Sequence, residues 1–213
     1  MAEMKTEEEQ VEALKRWWQE NGKSLVLTIA VSIGGVLSWN AYQDNQASQA
    51  ETASVYFQQL INNAPAGQLS DTEIAQVRYN SELLKTEFGS STYAQFAALM
   101  IARVEVQEGD LPAAEVQLEW VIDQGGDAEV LALATIRLAS VLGAQKQYDE
   151  ALALLVDVDD AWQSGRLEAR GDLLVAQGEL DAALTAYTQS SLLAVASGAN
   201  KPLLGLKLDN LAQ

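Results

Sequence analysis

The chain has 213 residues, 13 of them basic and 30 acidic, for a net charge of −17. Such a surface repels a phosphate backbone, which argues against nucleic-acid binding. The absence of histidine and cysteine excludes Ser–His and Cys–His catalysis, the usual zinc ligands and any disulfide framework.

The first element is a polar tail, residues 1–22. Within EEEQVEALKRWWQEN, Val11, Leu14 and Trp18 recur at helical spacing, which predicts an amphipathic helix lying on a membrane face. Gly22-Lys23-Ser24 has the ending of a phosphate loop, but the first glycine of that motif would fall at Trp17, so the motif fails. Residues 23–43 follow as an apolar segment. Trp17 and Trp18 stand at one end and Trp39 and Tyr42 at the other, where aromatic belts lie at the two membrane surfaces. At about 1.5 Å per residue, Trp18 and Trp39 are roughly 31 Å apart, close to the hydrocarbon thickness of about 30 Å. Ser24, Thr28, Ser32 and Ser38 can satisfy their hydroxyls on their own helix, and Lys23 can snorkel. A cleaved signal would need a short basic lead. Here Glu7, Glu8 and Glu9 precede the apolar run, and only a weak Ser48-Gln49-Ala50 cleavage site follows it. A transmembrane helix is therefore the expectation. Lys15, Arg16 and Lys23 precede the span and no basic residue follows it before Arg78. The N-terminus is thus expected in the cytoplasm and the large C-terminal part across the membrane, in the periplasm if the source is bacterial. Ala30, Gly34 and Ser38, spaced i, i+4, i+8, form a stripe of small residues along which a second membrane helix could pack.

Residues 44–90 are expected to link and to cap. A polar helix runs over 44–62, Ala64-Pro65-Ala66-Gly67 breaks it, and Ser70 with Glu73 forms a capping box opening a helix over 71–87 that Gly89 stops. Residues 91–213 are repetitive. Aligned on Ala114, Ala151 and Ala183, three segments each place a small residue twelve positions earlier (Ala102, Ala139, Gly171). Each has a bulky one three earlier (Leu111, Tyr148, Leu180) and another four later (Leu118, Leu155, Tyr187). Turns fall at Gly109-Asp110, Lys146-Gln147 and Gly178-Glu179. The pattern resembles tetratricopeptide repeats, whose period is about 34 residues. Small residues let two helices of a hairpin approach, and bulky ones plug the gap to the next hairpin. Glu105 and Arg170 depart from the pattern at positions that are usually apolar. Leu203, Leu204, Leu206, Leu208 and Leu211 are expected to close the last hairpin. The fold class is thus all-α, one transmembrane helix followed by an α-hairpin solenoid.

Catalytic signals are absent from the pattern. The stretch DVDDAWQSG from Asp157 starts like a calcium loop but has Ala161 and Trp162 where an acidic residue and a glycine belong. No glycine-rich phosphate loop occurs, and no cofactor or metal is expected. A hydrolase would need two facing, desolvated carboxylates. Hairpin solenoids bind peptides or helices on a concave surface. Tetratricopeptide positions assign Phe96, Leu99, Arg103, Leu133, Ile136 and Ser140 to that surface, the competing reading being ordinary interhelix core. The acidic solenoid is expected to attract basic partners through a salt-sensitive term.

QVEALKRWWQENGKSL, the apolar run with Gly34-Gly35, Trp39 and the ending PLLGLKLDNLA resemble the YfgM family of γ-proteobacterial inner-membrane proteins. The resemblance implies an ancillary subunit of the SecYEG translocon with a periplasmic tetratricopeptide-like domain. It also implies pairing with a PpiD-like membrane-anchored chaperone and handover of newly translocated proteins to periplasmic chaperones. A second role it implies is restraint of a cytoplasmic response regulator, RcsB-like, through the tail. That tail offers little area for a tight interface.

Overall fold

The computed structural model describes residues 7–63, 69–156 and 161–211; these form α-helices and no strand. The break at 64–68 and the start of the calcium-like stretch, 157–160, lie outside the described residues. The chain divides into two compact units, Met1–Gln49 and Ala50–Gln213.

The first unit holds most of α1 (Glu7–Asn63). Val11, Leu14, Trp18 and the apolar side chains from Leu25 to Trp39 are exposed. Among the described residues one helix, within Glu9–Asn62, is long and apolar enough to cross a membrane. Two of the four hydroxyls, those of Thr28 and Ser32, turn inward as the spacing predicts. Thr28 Oγ1 donates to the Ser24 carbonyl at 2.9 Å and Ser32 Oγ to the Thr28 carbonyl at 2.8 Å, so neither needs water. The Trp39 and Tyr42 rings lie 6.1 Å apart.

The second unit is a stack of helical hairpins. α2 (Asp71–Glu87) opens with the expected capping box. The Ser70 N–H donates to Glu73 Oε2 at 2.7 Å and the Glu73 N–H to Ser70 Oγ at 3.4 Å. Three hairpins follow: α3 (Thr92–Glu108) with α4 (Leu111–Gln124), α5 (Ala128–Ala144) with α6 (Tyr148–Leu154), and α7 (Gln163–Gln177) with α8 (Leu180–Ala196). Their turns share one geometry. Gly109, Lys146 and Gly178 are left-handed, with φ of 83°, 66° and 84°. The next N–H reaches back to close the turn: Asp110 to the Glu105 carbonyl at 2.8 Å, Gln147 to Leu142 and Glu179 to Leu174 at 2.9 Å. The middle turn does this without glycine, at a cost of about 1 kcal/mol.

The aligned small residues are where the hairpins touch. Ala114, Ala151 and Ala183 are fully buried, and so are Ala102, Ala139 and Gly171 or nearly so. A Cβ on Gly171 would stand 2.3 Å from Tyr187 Cε1. Leu118, Leu155 and Tyr187 are buried plugs, and Leu111 and Tyr148 pack against the main core. Leu180 is exposed.

The last turns of α1 belong to this unit. Ala53 and Leu60 are fully buried with Leu84, Ala94 and Ala97, while the Tyr56 ring lies 5.8 Å from Phe88 and the Phe57 ring 5.7 Å from Tyr93. They cover the apolar side of the first hairpin. α9 (Pro202–Leu211) closes the other end, with a correction to the five-leucine face. Leu204 is buried and Leu211 packs on the Leu174, Ala183 and Ala186 cluster, but Leu203 and Leu206 are exposed. At 3.6 residues per turn, residues 204, 208 and 211 share a side that 203 and 206 cannot reach.

Candidate functional site

Two surfaces are candidates for binding, and they lie in different units. On α1 the Ala30, Gly34 and Ser38 stripe is exposed, and a Cβ placed on Gly34 would meet nothing within 4 Å. Trp18 lies over Gly22, whose Cβ would stand 3.0 Å from the indole. Glycine there lets the ring fold onto the helix backbone.

In the repeat unit, the first helices of successive hairpins, α3 and α5, flank a groove of about 290 Å³ with α4 at its base. Arg103 and Val106 come from α3, Leu111 and Leu118 from α4, and Arg137 and Ser140 from α5. Arg137 Nη1 donates to the Leu99 carbonyl at 3.4 Å. Burial of its guanidinium, and then the nearby Arg103 charge, lower its pKa.

The six residues assigned to the concave surface divide among three places. Arg103 and Ser140 line the groove. Phe96 is 39% exposed and its ring lies 6.0 Å from Phe57. Leu133 and Ile136 are half-buried against the main core, and Leu99 is inside it at 5% exposure. Ser140 Oγ is turned to the Ile136 carbonyl at 3.0 Å. Arg137 is the charged groove residue that spacing missed. The signal was there: neither Arg103 nor Arg137 has an acidic residue three or four positions away, in a chain where acids outnumber bases more than twofold.

The remaining charge clusters are structural. Arg78 of α2 holds Glu105 of α3 through two bonds, Nε at 2.7 Å and Nη2 at 2.5 Å. That pair explains a charged residue at a usually apolar position, because Glu105 is only 4% exposed. Arg170, the other departure, is exposed. At the far end Glu168 of α7 accepts from Lys201 at 3.1 Å and Lys207 at 2.9 Å. Lys207 also donates to Asp172 at 2.9 Å, and the Tyr187 hydroxyl donates to Asp172 at 2.6 Å. No acidic group suited to a metal ion occurs among the described residues.

The geometry is that of a repeat stack with an appended apolar helix, and the comparisons agree over the whole length. A family model described as a tetratricopeptide repeat-like domain matches residues 15–213, apolar segment included. The chain is similar to the ancillary SecYEG translocon subunit of Neisseria gonorrhoeae, 31% identical over 214 residues, 99% of this chain and 100% of the relative. It is similar to the protein of that name in Aggregatibacter actinomycetemcomitans, 30% identical over 206 residues, 96% and 97% of the two chains. The Escherichia coli protein of that name is 27% identical over 207 residues, 97% of each chain. The chain belongs to the YfgM family. No solved structure matches it. In this YfgM-family chain the shared region takes in the tryptophans at both ends of the apolar segment, the three hairpins and the closing helix α9.

Proposed function

We propose that this chain is an adaptor anchored in the inner membrane beside the SecYEG translocon. Its repeat unit lies in the periplasm and, with a PpiD-like membrane-anchored chaperone, helps newly translocated proteins pass to periplasmic chaperones. The chain acts by binding and not by catalysis. The observation that carries this reading is end-to-end similarity, anchor and repeats together, to proteins named for the translocon. The basic residues Lys15, Arg16 and Lys23 before the apolar segment support the orientation. In this reading Ala30, Gly34 and Ser38 receive another membrane helix, since small residues let backbones come close. Phe96, Arg103, Leu133, Ile136 and Ser140 mark the side of the stack that faces a partner, with Leu99 in the core behind them.

The test is a pull-down of the full chain from native membranes in mild detergent, read by mass spectrometry, beside a Gly34→Leu, Ser38→Leu double variant. The translocon and a membrane-anchored chaperone are expected with the unaltered chain and are expected to fade with the variant. Equal recovery from both removes the stripe and leaves the repeats or the tail as the contact. Recovery from neither removes the adaptor reading, and restraint of a cytoplasmic response regulator by the tail then leads. Deleting residues 2–14 tests that directly.

A further inference from the structure

We infer that the groove between α3 and α5 binds an extended peptide segment that pairs an apolar side chain with a carboxylate. The inference rests on the proposed periplasmic partner surface and names its chemistry. Four observations carry it.

The groove's charged residues are both cations, Arg103 and Arg137. Among the described residues neither forms an ion pair; Arg137's polar contact is the Leu99 carbonyl. The groove is thus locally positive in a molecule with 30 acidic and 13 basic residues. Arg78, by contrast, is matched with a buried carboxylate. Two like charges held near each other over apolar surface repel, and the Arg103 charge adds to burial in lowering the Arg137 pKa. An arriving carboxylate relieves the repulsion and meets two planar donor forks suited to it.

The space between the cations is apolar. Val106, Leu111 and Val141 line it, and Val106 is exposed in the chain alone. At about 290 Å³ the groove falls at the lower edge of the roughly 300–1,000 Å³ that small-molecule sites occupy. It holds a side chain or two and not a cofactor. An apolar anchor beside an acid therefore fits both wall and rim, whereas a basic peptide drawn by the net charge meets two guanidiniums at the contact. Long-range charge steers the encounter, but the pairing at the site selects what stays.

The test uses the full chain in neutral-detergent micelles and three dansyl-labelled, end-blocked heptapeptides read by fluorescence polarisation. Their sequences are glycine-flanked alternations of leucine with aspartate, asparagine or lysine. The aspartate peptide is expected to bind at least tenfold more tightly than the other two, and its affinity to fall about fivefold between low and high salt. Arg103→Gln, at an exposed position, is expected to weaken it about tenfold with an unchanged circular-dichroism spectrum. Ser140→Asp, which supplies a carboxylate to the guanidiniums from within, is expected to do the same. Equal binding of the aspartate and asparagine peptides overturns the inference. So does tighter binding of the lysine peptide, or indifference to both substitutions. The translocon pull-down separates this from the adaptor reading. Translocon recovery without aspartate-peptide binding sinks the groove chemistry alone. Peptide binding without translocon recovery sinks the adaptor reading and leaves the groove standing.

Discussion

Glycine at 171 is a matter of space. Its missing Cβ is occupied by the Tyr187 ring, and that ring is pinned because it is buried and its hydroxyl donates to Asp172 at 2.6 Å. Alanine usually gains about 1 kcal/mol over glycine inside a helix, but here the clash outweighs that gain. Gly171→Ala is expected to destabilise by about 1–3 kcal/mol, while Gly205→Ala, with nothing within 4 Å of its Cβ, is expected to stabilise. Thermal melts of the two in parallel check the sign of each. Glu105 makes a different point. Its carboxylate is buried and tolerated because Arg78 grips both oxygens. Arg78→Met leaves that acceptor unpaired and is expected to cost about 1–3 kcal/mol. Adding Glu105→Leu is expected to restore most of the loss, because removing both partners of a buried pair is often neutral. Urea unfolding of the single and double variants measures this, and a double variant no better than the single would refute it.

Helices α1, α2 and α9 act as covers. A hairpin stack leaves an apolar face at each end. One end is closed by Ala53, Tyr56, Phe57 and Leu60 of α1 together with Leu84 of α2. The other is closed by Leu204 and Leu211 of α9, with Lys201 and Lys207 clamped to α7. The clamp carries a pH dependence. Burial raises the Glu168 pKa, but hydrogen bonds from Lys207 and Lys201 outweigh it and hold the carboxyl below its usual 4.5. For Lys207, burial lowers the pKa and its bonds to Asp172 and Glu168 raise it further, above 10.5. A depressed carboxylate stabilises the fold above its unfolded pKa, and that stabilisation is lost as pH falls through the folded value. The clamp is thus complete from about pH 5 to pH 10 and weakens below 4.5. Lys207→Met removes a cation from Glu168 and is expected to move the acid-unfolding midpoint, followed by circular dichroism, to higher pH. An unmoved midpoint would mean that α9 is held by its leucines alone.

At the scale of the whole chain, charge is unevenly spread. The basic residues near the apolar segment lie at or before its first residue, Lys23, and none follows before Arg78. The absence of native cysteine makes orientation directly measurable. Glu12→Cys and Asn200→Cys place one thiol in the tail and one in an exposed turn. In intact spheroplasts a membrane-impermeant maleimide is expected to label the second and spare the first until the membrane is permeabilised. The reverse pattern would overturn the periplasmic assignment of the repeats.

Periodicity made the element order legible. The capping box at Ser70 and Glu73, the three left-handed turns and the aligned alanines each depend on residues a few positions apart, and local contacts follow from spacing. The aromatic residues at both ends of the apolar segment were legible for the same reason. What spacing could not reach was which face of an element meets which neighbour. It grouped five leucines on α9 where the helix admits fewer, and it placed Leu99 on a partner surface where α3 turns it into the core. It also missed Arg137, which enters the groove because α5 lies beside α3. Glu105 looked like a flaw in the repeat until α2 brought Arg78 to it from 27 positions away. Burial and pairing at such distances are set when helices dock, because a side chain's surroundings then come from other elements and no longer from its own turn.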